Sequence, residues 1–138
     1  MKQDLEKDDV YQAALIIAAY CYSVIDELPD DEKYPTKYIL STGSSELATS
    51  IAEALGSDDP RDRVWKYGIS KRAAYSLYSV LQQLHKRSLN AVDPTIMLKL
   101  QTVADSLAER IDQSKTNIAT DVGIFDAETY RMNKKPLL

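Results

Sequence analysis

The sequence predicts an all-α protein that folds as an antiparallel, up-down-up-down four-helix bundle. Apolar residues recur at helical spacing in four long segments of the 138-residue chain. The links between these segments are short, so each helix is expected to turn back against the one before it. Residues that start or stop helices stand at these links. A chain of this length forms one domain, with the bundle over residues 1–118 and a tail over residues 119–138.

The first helix is expected from about Asp8 to Leu28, and Pro29 ends it. A second apolar row lies beside its core stripe, so one neighbouring helix cannot cover all of its apolar surface. The row either packs between two helices of the same bundle or makes a contact between subunits, and we predict a homo-oligomer from it. The core stripe is Val10, Ala13, Ala14, Ile17, Cys21, Val24, Ile25 and Leu28, and the second row is Tyr11, Leu15, Ala18 and Tyr22.

The second helix is expected to begin at Asp31 or at Thr36 and to stop at Gly56. Its many small residues, Gly43 among them, allow a neighbouring helix to approach closely. The acidic link over residues 29–35 lacks the spacing and the turn glycine of a calcium loop, so we interpret it as a solvated junction and not a cation site. The apolar stripe of this helix is Leu40, Ser44, Leu47, Ala48, Ile51, Ala54 and Leu55.

The third helix has a strong start signal, since Asp59 precedes Pro60, and it is expected to reach Arg87. Its outward face interleaves tyrosines with cations, which makes it the candidate surface for nucleic acid or a protein partner. The alternative is a solvated surface whose tyrosines pack against a neighbouring helix. The predicted core stripe is Trp65, Ile69, Ala73, Ser76, Leu77, Val80 and Leu84, and the candidate binding residues are Tyr67, Lys71, Arg72, Tyr75, Tyr78 and Lys86.

The fourth helix repeats this start signal at Asp93 and Pro94. From about Ala119 the apolar period lapses, although the tail that follows still contains apolar and aromatic residues. That tail is either disordered or docked across the bundle or onto a neighbouring subunit. The stripe of the fourth helix is Ile96, Leu100, Val103, Ala104, Leu107, Ile111 and Ile118.

No pattern in the sequence points to catalysis, so we predict neither an enzyme nor a cofactor. A ferritin-like metal site needs histidines on two helices, and His85 is the only histidine. At an outward helix end, His85 is suited to the helix dipole and not to the role of a catalytic base. Cys21, the only cysteine, lies in an apolar run and is expected to fill the core. No glycine-rich phosphate loop occurs.

The protein is expected to be cytoplasmic and without membrane contact, because its longest apolar run is too short to span a bilayer and its N-terminal residues are charged. The net charge of −4 gives no overall attraction to nucleic acid. Any such contact therefore depends on a local patch of positive charge.

Several short motifs appear in a recognisable order. Ile51-Ala52-Glu53 matches part of a motif that reads Ser-Ile-x-x-Asn-Ile-Ala-Glu-Gly, with Gly56 near its glycine and Leu47 near its first isoleucine. Leu28-Pro29, Glu32-Lys33-Tyr34, an acidic loop after SELATSIAEALG, paired aromatics in the third helix and a short final helix accompany it. From about Tyr11 to Ile111, the chain thereby resembles a bacterial four-helix-bundle family that includes proteins encoded in intervening sequences of large-subunit ribosomal RNA genes.

One branch of that family is the accessory variability determinant (Avd) proteins of diversity-generating retroelements. The spacing of the third and fourth helices, from Tyr75 through Pro94 to Ile111, is similar to that branch. The resemblance implies a pentamer of four-helix protomers that binds a reverse transcriptase together with RNA or DNA, and it brings no catalytic residue. Those proteins are markedly basic, whereas this chain is acidic. In this chain, the tyrosine and lysine face of the third helix is therefore the surface on which the resemblance would place nucleic acid.

Overall fold

A computed structural model describes residues 5–32 and 34–122, and within these ranges the chain forms helices and no strand. A short 3-10 turn, Leu5–Lys7, precedes α1 (Asp9–Glu27), which is followed by α2 (Tyr34–Leu55), α3 (Pro60–Lys86) and α4 (Pro94–Val122). Most of the predicted tail, residues 123–138, lies outside the described residues. α4 is 29 residues long and is not the short final helix that the resemblance implies. It also runs past residue 118, and Ala119 is buried.

Aspartates cap three of the helices, as the sequence indicates. Asp8 accepts a hydrogen bond from the Tyr11 backbone N–H at 2.8 Å, which satisfies one of the free donors in the first turn of α1. Asp59 and Asp93 do the same for α3 and α4, each immediately before a proline at the first helical position. The predicted start and end of α3 are confirmed, and α2 begins at Tyr34, between its two predicted starts.

The four helices pack in a ring, with α1 and α3 each in contact with both α2 and α4. Contacts between α2 and α3 run in opposite directions along the two helices: Glu53 pairs with Lys66, whereas Gly43 faces Leu77. Contacts between α3 and α4 follow the same antiparallel pattern. The predicted all-α four-helix bundle is confirmed. The up-down-up-down order of all four helices remains a prediction that these contacts support.

The core is built from residues that alternate in steps of three and four, as in coiled coils. This spacing keeps one row of side chains facing the centre along the whole helix. The predicted core stripes of α1, α2 and α4 are confirmed, with Ala13, Ile25, Leu55, Ile111 and Ile118 only partly buried. The buried rows include Val10, Ala14, Ile17, Cys21, Val24 and Leu28; Leu40, Ser44, Leu47, Ile51 and Ala54; Tyr67, Ser70, Ala74, Leu77, Leu81 and Leu84; and Ile96, Leu100, Val103 and Leu107.

The predicted core stripe of α3 is only partly correct. Ala73, Leu77, Val80 and Leu84 are buried as predicted, but the buried side of the helix is rotated from the predicted one by somewhat less than one residue step. Trp65, predicted in the core, is 67% exposed, and Ser76 is exposed as well. Tyr67, predicted on the outward face, is 4% exposed. The buried row includes Ser70, whose hydroxyl donates to the Leu47 carbonyl at 2.7 Å and is thereby satisfied in the core. A polar residue in the core row hid the true stripe from a search for apolar residues.

α2 and α3 pack closely against each other at Gly43. A Cβ atom at this position would lie 3.0 Å from Leu77 Cδ2, closer than carbon atoms normally pack. Because glycine has no side chain, the leucine side chain of α3 can occupy the space that a Cβ atom of residue 43 would take. This contact confirms the close helix approach that the small residues of α2 predict.

Candidate binding surface

The structure separates the six candidate binding residues of α3 into three groups. Tyr67 lies in the core, so its predicted place on the surface is wrong. Arg72 and Tyr75 are exposed, and Lys71 beside them is partly buried. Tyr78 and Lys86 line a groove between α3 and α4. The candidate residues therefore do not form one continuous strip along α3.

The α3–α4 groove has a volume of about 810 Å³ and lies between the C-terminal part of α3 and the N-terminal part of α4. Its apolar side chains come mainly from α4 and the loop before it: Val92, Met97 and Leu98. Leu98 is 63% exposed, which is unusual for a leucine without a neighbour to cover it. On the α3 side, the Tyr78 hydroxyl accepts a hydrogen bond from Gln101 across the groove at 3.0 Å.

Two basic side chains, Lys86 and Arg87, line one end of this groove beside His85. No aspartate or glutamate is among the described residues that line it. The Arg87 guanidinium donates to both carboxylate oxygens of Glu32, at 2.9 and 3.1 Å, and this hydrogen bonding raises the pKa of Arg87. Lys86 makes no ion pair within the described part of the chain, so its ammonium group remains available to a partner.

A second unusual surface is the outward face of α1. No charged residue occurs between Asp9 and Asp26, although one side of this helix is exposed from Leu15 onward. Within the predicted second row, Leu15 is 39% and Tyr22 is 45% exposed, whereas Tyr11 and Ala18 are partly buried. Ile16, which belongs to neither predicted row, is 51% exposed. The helices of this bundle thus leave part of the apolar row of α1 uncovered.

The other end of the bundle contains a charged cluster that apolar periodicity did not reveal. Arg110 of α4 donates from Nη2 to Asp8 Oδ2 at 2.9 Å, and its guanidinium lies 5.6 Å from the centre of the Tyr67 ring. Burial acts to lower the pKa of Arg110, but the hydrogen bond to Asp8 and the nearby charges give a net rise. The buried Nη1 atom has no hydrogen-bond partner among the described residues. A cavity of about 390 Å³ adjoins this cluster.

The described residues offer little to support catalysis or metal binding. Among residues 5–32 and 34–122, no group of three or more histidine, cysteine, aspartate or glutamate side chains is placed to hold a metal ion. His85 is exposed at the end of α3, away from Cys21 in the core. Burial raises the pKa of the Cys21 thiol, which opposes formation of a reactive thiolate.

None of the described helices has both the length and the apolar character needed to cross a membrane. Comparisons of the chain with models of protein families, with curated proteins and with solved structures found no match.

Proposed function

We propose that this protein is a non-enzymatic, oligomeric adaptor of the cytoplasm. The observation that supports this most directly is the uncharged outward face of α1. On the surface of a monomer, such a face would leave Leu15, Ile16 and Tyr22 in water along the middle of a helix. Contact with a second copy of the chain would cover them, and a ring of five copies is the arrangement that the family resemblance suggests.

Oligomerisation is tested by light scattering on the unmutated protein and on a double variant with Leu15→Glu and Tyr22→Glu. We expect the unmutated protein to have about five times the monomer mass. The double variant should be a monomer of unchanged helicity, because two charges would be buried without partners in the interface. The matched control is Leu98→Glu with Tyr75→Glu, which places the same changes on α3 and α4, and it should remain oligomeric. A monomeric unmutated protein would refute the proposal.

The adaptor proposal has a second part, in which α3 binds RNA or DNA. Lys71 and Arg72 make no ion pair with other described residues, and Tyr75 beside them is 61% exposed, so phosphate contacts and base stacking are both available there. Repetition of this patch around an oligomer adds weak contacts together through avidity. A reverse transcriptase as the protein partner is proposed from the family resemblance alone.

Nucleic-acid binding is tested by measuring affinity for single-stranded and duplex RNA and DNA over a salt series. Lys71→Glu with Arg72→Glu should weaken binding and lower the salt dependence by about one unit for each phosphate that the variant no longer binds. Arg61→Glu with Lys115→Glu, near the end of the bundle where α3 begins and α4 finishes, is the charge-matched control. If the unmutated protein binds nothing at low salt, the remaining possibility is an interaction protein of this fold with no role in nucleic-acid binding.

A further inference from the structure

The α3–α4 groove lies apart from the outward face of α1, on which the proposed oligomer contact is placed. Its walls run along α3 from Tyr78 to Arg87 and along α4 to Gln101, a length of about 14 Å at 1.5 Å per residue. That length matches two to three turns of a third helix. Two helices with exposed apolar side chains between them form the kind of groove into which an amphipathic helix packs its apolar face.

The charges of the groove indicate which helix it fits. The protein has a net charge of −4, yet the described lining contains no carboxylate. It ends in Arg87, which pairs with Glu32, and in Lys86, which makes no ion pair with a described residue. A basic ligand helix would be repelled at this end, whereas an acidic one would be attracted.

We propose that the α3–α4 groove binds an acidic amphipathic helix of a partner protein. Leucine-like side chains of the partner cover Leu98 and Met97, and its carboxylates lie near Lys86 at the end of α3. Met97 is flexible and adapts to different apolar side chains. This inference rests on the proposed adaptor role, for which it names the chemistry of the partner.

The test uses a designed peptide of about 18 residues, long enough to form a helix, with a leucine stripe and glutamates along one flank. A second peptide keeps the stripe and replaces the glutamates with lysines. Binding of each labelled peptide to the full chain is measured by fluorescence anisotropy. We expect the acidic peptide to bind about tenfold or more tightly than the basic one at low salt, and this preference to shrink as salt is added.

Two variants locate the site. Leu98→Glu should weaken binding of the acidic peptide about tenfold or more, because it places a charge in the apolar part of the groove. Lys86→Glu should weaken the acidic peptide about fivefold and strengthen the basic one, as expected for a charge at the edge of an interface. Arg61→Glu, on the same helix outside the groove, is the control and should change neither affinity by more than about twofold. All three positions are exposed, so the fold is expected to persist, and circular dichroism checks this.

The proposal is overturned if the acidic peptide does not bind, or if Leu98→Glu leaves its affinity unchanged. A second result would also overturn it: an oligonucleotide displaces the bound peptide, and the variant with Lys71→Glu and Arg72→Glu still binds the peptide normally. The groove itself would then be part of a nucleic-acid site. Light scattering on the same samples separates this result from failure of the adaptor proposal, because oligomerisation through α1 does not require the groove.

Discussion

The two ends of this bundle are built differently. At the end where α1 finishes and α4 begins, the interior is apolar, with Leu28, Leu84 and Ile96 all buried. At the opposite end, a charged arginine occupies the row that continues the core of α4, and it lies between an aspartate and a tyrosine ring. The difference shows that a regular helical bundle does not need an apolar layer at every level. A core position can hold a charge where neighbouring helices supply its partners.

The largest effect is expected from truncation at the apolar end. Leu84→Ala should lower the free energy of unfolding by about 2–5 kcal/mol, because it removes a fully buried side chain and leaves a cavity in a rigid layer. Urea denaturation followed by circular dichroism measures the change. Leu98→Ala is the matched control on the surface, and it should change stability by less than about 0.5 kcal/mol. Equal effects at the two leucines would contradict the assignment of Leu84 to the core.

A smaller effect is expected at the charged end, and a double-mutant cycle separates its parts. Asp8→Ala should cost about 2–3 kcal/mol, since it removes the N-cap of α1 and leaves a mostly buried Arg110 without its carboxylate. Arg110→Met should be close to neutral, because an apolar side chain of similar length replaces both the charge and its need for a partner. In the Arg110→Met background, Asp8→Ala should lower the free energy of unfolding by only about 1 kcal/mol, because only the N-cap of α1 is lost. Additive losses in the double variant would show that the two side chains do not interact.

The smallest effect on stability is expected when a rise in pH ionises the buried thiol of Cys21. Burial raises the pKa of Cys21 above its ordinary value of 9.0, so the thiol remains protonated in the folded protein after it has ionised in the unfolded chain. The contribution of this thiol to the free energy of unfolding is therefore fully present below about pH 9. It falls as the pH rises further, by at most about 1.4 kcal/mol per pH unit. Urea denaturation at neutral pH and at about pH 10 should show this loss in the unmutated protein relative to Cys21→Ala. Equal losses in the two proteins would exclude the thiol as the cause.

The same contrast explains how much of the structure is predictable from the sequence. The core stripes of α1, α2 and α4 follow from apolar spacing because leucine, isoleucine, valine and alanine occupy most of their buried positions. The orientation of α3 does not follow, because its buried row contains Tyr67 and Ser70 while its largest apolar residue, Trp65, is exposed. The signal that identifies this row is the sequence spacing between its buried residues, which alternates strictly between three and four from Tyr67 to Leu84.

The candidate surfaces were predictable only in part. The second row of α1 was visible as surplus apolar residues, but the exposure of Ile16 depends on where the neighbouring helices lie. In α4, Leu98 follows Ile96 and Met97, and three consecutive apolar residues are more than one stripe can bury. That excess marked one wall of the groove. The other wall depends on the orientation of α3, so the groove itself required the structure.

Arg110 also determines how far α4 can slide along its neighbours. A shift of one heptad is a translation of about 10 Å and would leave the core spacing of α4 unchanged, so apolar contacts alone discriminate poorly between such alignments. In one direction, the shift moves the guanidinium to the level now held by Val103, where it would be buried without a carboxylate. In the other direction, Asp8 would face an uncharged side chain. Arg110 thus ties α4 to the start of α1 at the one axial alignment that sets its guanidinium against Asp8.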